Sequence, residues 1–144
     1  MATYYSAELT GIDSNPCVKP NAISGYNAHL KRFRATVTYN TQTTSDIIHV
    51  ARFPAGTVFA FGIANTSVST STATIAVGIT GTTGKYLAAA AMTTANQPIL
   101  FVSETAADEA LTPYTAEEQV FITIGTASLP ASGTLVLDFF VSHP

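Results

Sequence analysis

Any chemistry in this chain must come from few side chains. Its 144 residues hold six Lys and Arg, nine Asp and Glu, three His and one Cys. His29, His49 and His143 are far apart, and none has a second metal-ligating residue at short spacing, so no metal site is expected. His49 stands between Ile48 and Val50 in a strand-like run, which places it on a polar face. Cys17 follows Pro16 without any nucleophile or redox signature, and a single cysteine excludes an intramolecular disulfide. No Gly-x-Ser-x-Gly elbow is present. The adjacent acids Asp108-Glu109 and Glu117-Glu118 fall in what reads as a loop, where carboxylates are expected to be solvated rather than split in pKa. Gly81-Thr82-Thr83-Gly84-Lys85-Tyr86 follows a strand, as a phosphate loop would. However, Ile79 stands where the first glycine belongs, and Tyr86 stands where magnesium needs a Ser or Thr. A strand-connecting turn with a solvated lysine is the expectation there. No enzyme, cofactor or metal is read from these residues.

Binding residues are easier to find. Lys31, Arg32 and Arg34 form the only basic cluster. Arg32 and Arg34 share one side of a strand, about 7 Å apart by strand rise. Such charges either protect a sheet edge or dock an acidic protein surface. Of six tyrosines, Tyr4, Tyr5 and Tyr26 precede the first clear strand, and there is no tryptophan. A sugar-binding module would stack its ligand on aromatic faces, with Trp prominent; these tyrosines fit packing with a wet hydroxyl better.

The elements that must position these groups are strands. Residues 1–30 have no clean period and are broken at Asn15-Pro16, Pro20 and Gly25, which reads as an extended N-terminal arm. Residues 31–144 read as one β-sandwich domain. Phe33, Ala35, Val37 and Tyr39 alternate with Arg32, Arg34, Thr36 and Thr38, the pattern of a half-buried strand. Further strands are expected at residues 46–53, 57–65, 72–80, 99–102, 120–125 and 134–142. Phe59, Phe61 and Ile63 are read onto one face of the run at 57–65. Residues 86–92 fit either a short helix or a strand with an alanine face. The final strand places Leu135, Leu137, Phe139 and Val141 inward and Val136, Asp138 and Phe140 outward. The expected core is Phe33, Val37, Ile75, Val77, Phe121 or Ile122, Leu135, Leu137 and Phe139. About eight strands at short spacing with no convincing helix indicate an all-β antiparallel sandwich, with a jelly roll the best match in strand count.

Composition narrows the function. Charged residues make up 10% of the chain against the usual ~25%, and the mean hydropathy is +0.28. A net charge of -3 argues against a nucleic-acid binder led by bulk electrostatics. No apolar stretch approaches the roughly 20 residues that span a bilayer, and no basic n-region precedes an apolar stretch, so neither a membrane nor a secretory route is expected. A neutral Thr/Ser/Ala surface lacks like-charge repulsion and favours association among copies.

The opening Met1-Ala2-Thr3-Tyr4-Tyr5-Ser6-Ala7-Glu8-Leu9-Thr10-Gly11, the pairs Asn15-Pro16 and Lys19-Pro20, and Arg32-Phe33-Arg34-Ala35-Thr36-Val37 carry a resemblance. The ending Glu117-Glu118-Gln119-Val120-Phe121-Ile122-Thr123-Ile124-Gly125 shares it. Together they resemble the jelly-roll cement, or decoration, proteins of tailed-bacteriophage heads. That resemblance implies a virion protein made in the host cytoplasm and bound to the outer surface of the shell formed by the major capsid protein. It further implies dimers or trimers that bridge neighbouring capsomers, and no catalytic residues. The alternative is a carbohydrate- or receptor-binding sandwich of a phage tail or fibre.

The residues expected to attach the protein to a shell are Tyr4, Tyr5, Leu9, Ile12 and Tyr26 of the arm, together with Arg32 and Arg34. Arm side chains of this kind are costly to leave in water. Val136 and Phe140, apolar and outward on the last strand, are expected to form the face of a homo-oligomer, a dimer first and a trimer second.

Overall fold

Period-two alternation fixes which side of each strand enters the core, and eight strands follow from it. The computed structural model describes residues 29–44, 46–102 and 112–142. These form β1 (Leu30–Thr38), β2 (Ile47–Phe53), β3 (Val58–Thr66), β4 (Thr74–Ile79), β5 (Thr82–Ala91), β6 (Ile99–Phe101), β7 (Glu118–Gly125) and β8 (Thr134–Ser142). One antiparallel sheet runs β1-β8-β3-β6 and the other β2-β7-β4-β5. This order, with consecutive strands alternating between two facing sheets except for the β4-β5 hairpin, is the jelly roll expected from the sequence.

The core lies between the sheets. Ile75, Val77, Ile122, Leu135, Leu137 and Phe139 are wholly buried, and Val37 joins them at the rim. Burial of each such side chain contributes about 1.5–3 kcal/mol. Phe59, Phe101 and Phe139 meet ring to ring, with Phe59 stacked on Phe101 at 6.1 Å between centroids and Phe139 edge-on to both. Gly62 makes room for this. It pairs with both Phe101 and Phe139, and a Cβ there would lie 2.1 Å from Phe101 Cζ.

Several expectations need correction. Of the two alternatives for residues 86–92, the structure takes the strand, and most of them belong to β5. A long run of alanines carries no β preference of its own, and pairing with β4 decides the matter. The chain turns at Thr80-Gly81, three residues before Gly81-Thr82-Thr83-Gly84 was expected to finish turning it; Gly81 takes φ 86° and Thr82 already pairs with Ile79. Phe33 points inward but is 44% exposed. It sits on an edge strand with no strand beyond it among the described residues, and an edge-on contact with Phe53 covers only part of the ring. Ile122, not Phe121, enters the core; Phe121 lies on the other face, edge-on to His49. Phe59 does not share a face with Phe61 and Ile63. A bulge between Phe59 and Phe61 shifts the register and turns the last two outward.

Candidate functional site

That bulge builds the most distinctive surface of the molecule, the outer face of the β1-β8-β3-β6 sheet. Strand register sets it out in rows. Arg32, Phe140 and Phe61 lie opposite one another across three strands; Arg34, Asp138, Ile63 and Leu100 form the next row across four; Thr36, Val136 and Asn65 form the third. Residues directly opposite across a strand pair share a face, so all of these side chains look out from the same side. Phe61 and Phe140 stack at 4.5 Å with ring planes 17° apart. Leu100 is 65% exposed.

A charge pair sits among these apolar groups. Arg34 Nε and Nη2 donate to Asp138 Oδ1 and Oδ2, both at 2.7 Å, in the bidentate geometry that Arg favours. The hydrogen bonds from Arg34 hold the Asp138 carboxyl below its ordinary range against the opposing effect of burial, with the charges of Arg34 and Arg32 assisting. The same bonds raise the Arg34 guanidinium. The fork of Arg34 is thus already engaged, whereas Arg32 makes no ion pair among the described residues. The structure brings Arg32, Arg34, Val136 and Phe140 onto one face, although the sequence assigned them to two separate contacts. Tyr4, Tyr5, Leu9, Ile12 and Tyr26 lie outside the described residues.

A second cluster closes one end of the sandwich. Lys85 Nζ donates to Glu118 Oε1 at 2.7 Å and lies over the Tyr114 ring at 4.9 Å. Tyr86 Oη reaches Glu118 Oε2 at 2.5 Å and Tyr114 Oη at 2.9 Å. Burial chiefly, with these hydrogen bonds, pushes the Tyr86 hydroxyl far above its ordinary pKa, so it stays protonated. Here two expectations fail. Lys85 is in a strand and only 9% exposed, not a solvated turn residue. Glu118 is drawn in by Lys85 and Tyr86 instead of standing in water, while Glu117 reaches Arg52 at 3.4 Å. A cleft of about 230 Å³ lies beside this cluster, walled by residues 112–116. Its cation and anion neutralise each other, and its phenol is locked protonated. That is the arrangement of a structural tie. Among the described residues no group of three or more His, Cys, Asp or Glu side chains converges as a metal site would require.

Neither a protein-family model nor a curated protein matches the chain. Solved structures do. A chain of the cyanophage Pam1 capsid asymmetric unit is similar at a TM-score of 0.69 and 19% identity, with 92% of this chain and 97% of that one covered. A chain of the capsid of Ralstonia phage GP4 is similar at 0.65 and 17% identity, covering 91% and 93%. At such identities the likeness establishes the fold, and it does so over nearly the full length of each chain.

Sequence reasoning missed Phe61, Ile63 and Leu100 as members of the face, and it placed Asp138 outward without its partner Arg34. Asp138 carried a signal, since a lone acid inside an apolar strand needs a partner. The bulge that turns Phe61 outward carried none.

Proposed function

We propose that this chain is a structural protein of a bacteriophage virion, bound to the outer surface of the capsid shell, where it cements neighbouring subunits of the major capsid protein. One observation carries the reading: its fold is shared, over 97% of the other chain, with a component of a phage capsid asymmetric unit. The outer face of the β1-β8-β3-β6 sheet supplies a suitable contact. It has an apolar centre in Phe61, Phe140, Ile63 and Leu100, and its internal charge pair avoids a large unpaired field. Arg32 at its border is available to a shell carboxylate. The role is non-catalytic. Because Val136 and Phe140 share this face, the homo-oligomer is assigned to a different surface.

The test is reconstitution. Heads lacking the protein are mixed with purified wild type and with Arg32→Ala, and bound copies are counted. Saturation at hundreds of copies on the outside of each head, with weaker binding by the variant, is the expected result. A handful of copies confined to the tail would overturn it in favour of a receptor- or sugar-binding module.

A further inference from the structure

The proposed shell contact limits how a second copy can be placed. The outer faces of two packed sheets look in opposite directions. If two copies met through the outer faces of their β2-β7-β4-β5 sheets, their β1-β8-β3-β6 faces would point apart, and only one could lie on a shell. Both lie on it when the two-fold axis runs perpendicular to the sheets, so that the copies stand side by side. A sandwich offers two sides for this. On one, β1 and β2 end their respective sheets, and the edge-on contact of Phe33 with Phe53 brings the two strands together. On the other stand β6 and β5.

The two sides differ in charge. At the β1/β2 side, Arg52 of β2 meets Glu117, the residue before β7, at 3.4 Å, against 2.7 Å for Arg34–Asp138 and Lys85–Glu118. Both side chains of this loose pair are well exposed, Arg52 at 65% and Glu117 at 49%. The same side carries the half-covered ring of Phe33 and Ile47, which is 60% exposed. At the β5/β6 side, Val102 is exposed, but the ion pair of β5, Lys85–Glu118, is turned inward. A two-fold contact requires a patch that complements itself. A cation beside an anion is such a patch, because the rotation carries Arg52 of each copy toward Glu117 of the other. We propose that the protein dimerises side by side through its β1/β2 side. Phe33 packs against Phe33 of the second copy near the axis, and Arg52 of each copy exchanges its own Glu117 for that of the other. The exchange disturbs the fold little, since an exposed and loosely held pair contributes little to stability. This rests on the homo-oligomer in the proposed function and names its contact.

Light scattering and head binding on the full-length protein test it. Wild type should be a dimer. Arg52→Glu and Glu117→Arg should each weaken dimerisation at least tenfold, because a two-fold axis makes every change count twice. Alone, each variant sets like charges against each other. Mixed one to one, the two variants are complementary at both contacts, so the mixture should dimerise as wild type does. An ion pair that acts only within one chain cannot give recovery on mixing. Phe33→Gln should also loosen the dimer, with an unchanged circular dichroism spectrum. A dimer indifferent to all three changes, or a mixture no tighter than the separate variants, would overturn the contact while leaving the oligomer standing. Unchanged dimerisation with weaker head binding by the charge variants would overturn it and give this side to the shell. A monomeric wild type would overturn it too, and saturable head binding by that monomer would leave the shell-binding reading intact.

Discussion

Phe139 and Phe140 are neighbours in the same strand, and they belong to different problems. Phe139 is wholly buried, ringed by Phe53, Phe59 and Phe101. Phe140 faces out and stacks on the ring of Phe61. The charge pairs repeat the contrast. Lys85–Glu118 and Arg34–Asp138 have the same 2.7 Å separation, but their side chains are 11% and 17% exposed in the first and 51% and 12% in the second. One pair ties an end of the sandwich shut, and the other keeps an aspartate soluble in the middle of an apolar surface. The inner face of β8 thus belongs to the fold, while its outer face is the surface that the proposed function assigns to the shell contact.

The largest expected effect tests the inner side. Phe139→Ala should cost about 3–5 kcal/mol and Leu137→Ala about 2–5 kcal/mol, because neither cavity can collapse between two packed sheets. Urea unfolding measures both; a loss under 1 kcal/mol for either would mean that the inner face is less tightly packed than described. Next, Glu118→Ala strands Lys85 and Tyr86 without their shared acceptor and should cost on the order of 3 kcal/mol, the lower end for a broken buried pair since the site is not sealed from water.

The outer face should behave in the opposite way. Phe140→Ala should remove only the stacking with Phe61, about 0.5–1.5 kcal/mol, yet weaken attachment to heads at least tenfold. A large loss of stability with unchanged attachment would reverse the roles assigned to the two faces. The smallest effect concerns pH. Because Arg34 depresses the Asp138 pKa, the pair contributes stability above the ordinary carboxylate value near ~3.9 and loses it as pH falls through the lower folded value. Asp138→Asn should therefore flatten the acid side of the stability profile below about pH 4 and lower the neutral plateau by the pair's contribution, the variant and wild type converging in acid. An unaltered acid limb would show that the pair contributes nothing to folding.

Much of this architecture was legible in the residues alone. Alternation in the β8 run separated Leu135, Leu137 and Phe139 from Val136, Asp138 and Phe140 correctly, because period two is a property of the extended backbone and needs no partner. Strand number and the Thr80-Gly81 region as a turn were readable for the same local reason. What failed were judgements that depend on neighbours. Lys85 and Glu118 lie 33 residues apart and read as solvated charges; each is drawn inward only because the other, with two tyrosines, waits across the sheet. Phe33 carries an inward pattern, but burial requires a strand on its far side, and being at the edge removes one. Phe61 and Ile63 carry the right residues for the core, and a one-residue bulge against β8 sends them out.

The sequence by itself determined the all-β class, the inward face of most strands and the low-charge surface, since these follow from periodicity and composition. Only the tertiary structure decided that Arg32, Arg34, Val136 and Phe140 share one surface, that Asp138 occupies the fork of Arg34, and that Phe61 turns out to stack on Phe140. Register between distant strands sets all three, and register is fixed by how two sheets close on a common core, which no local run of residues encodes.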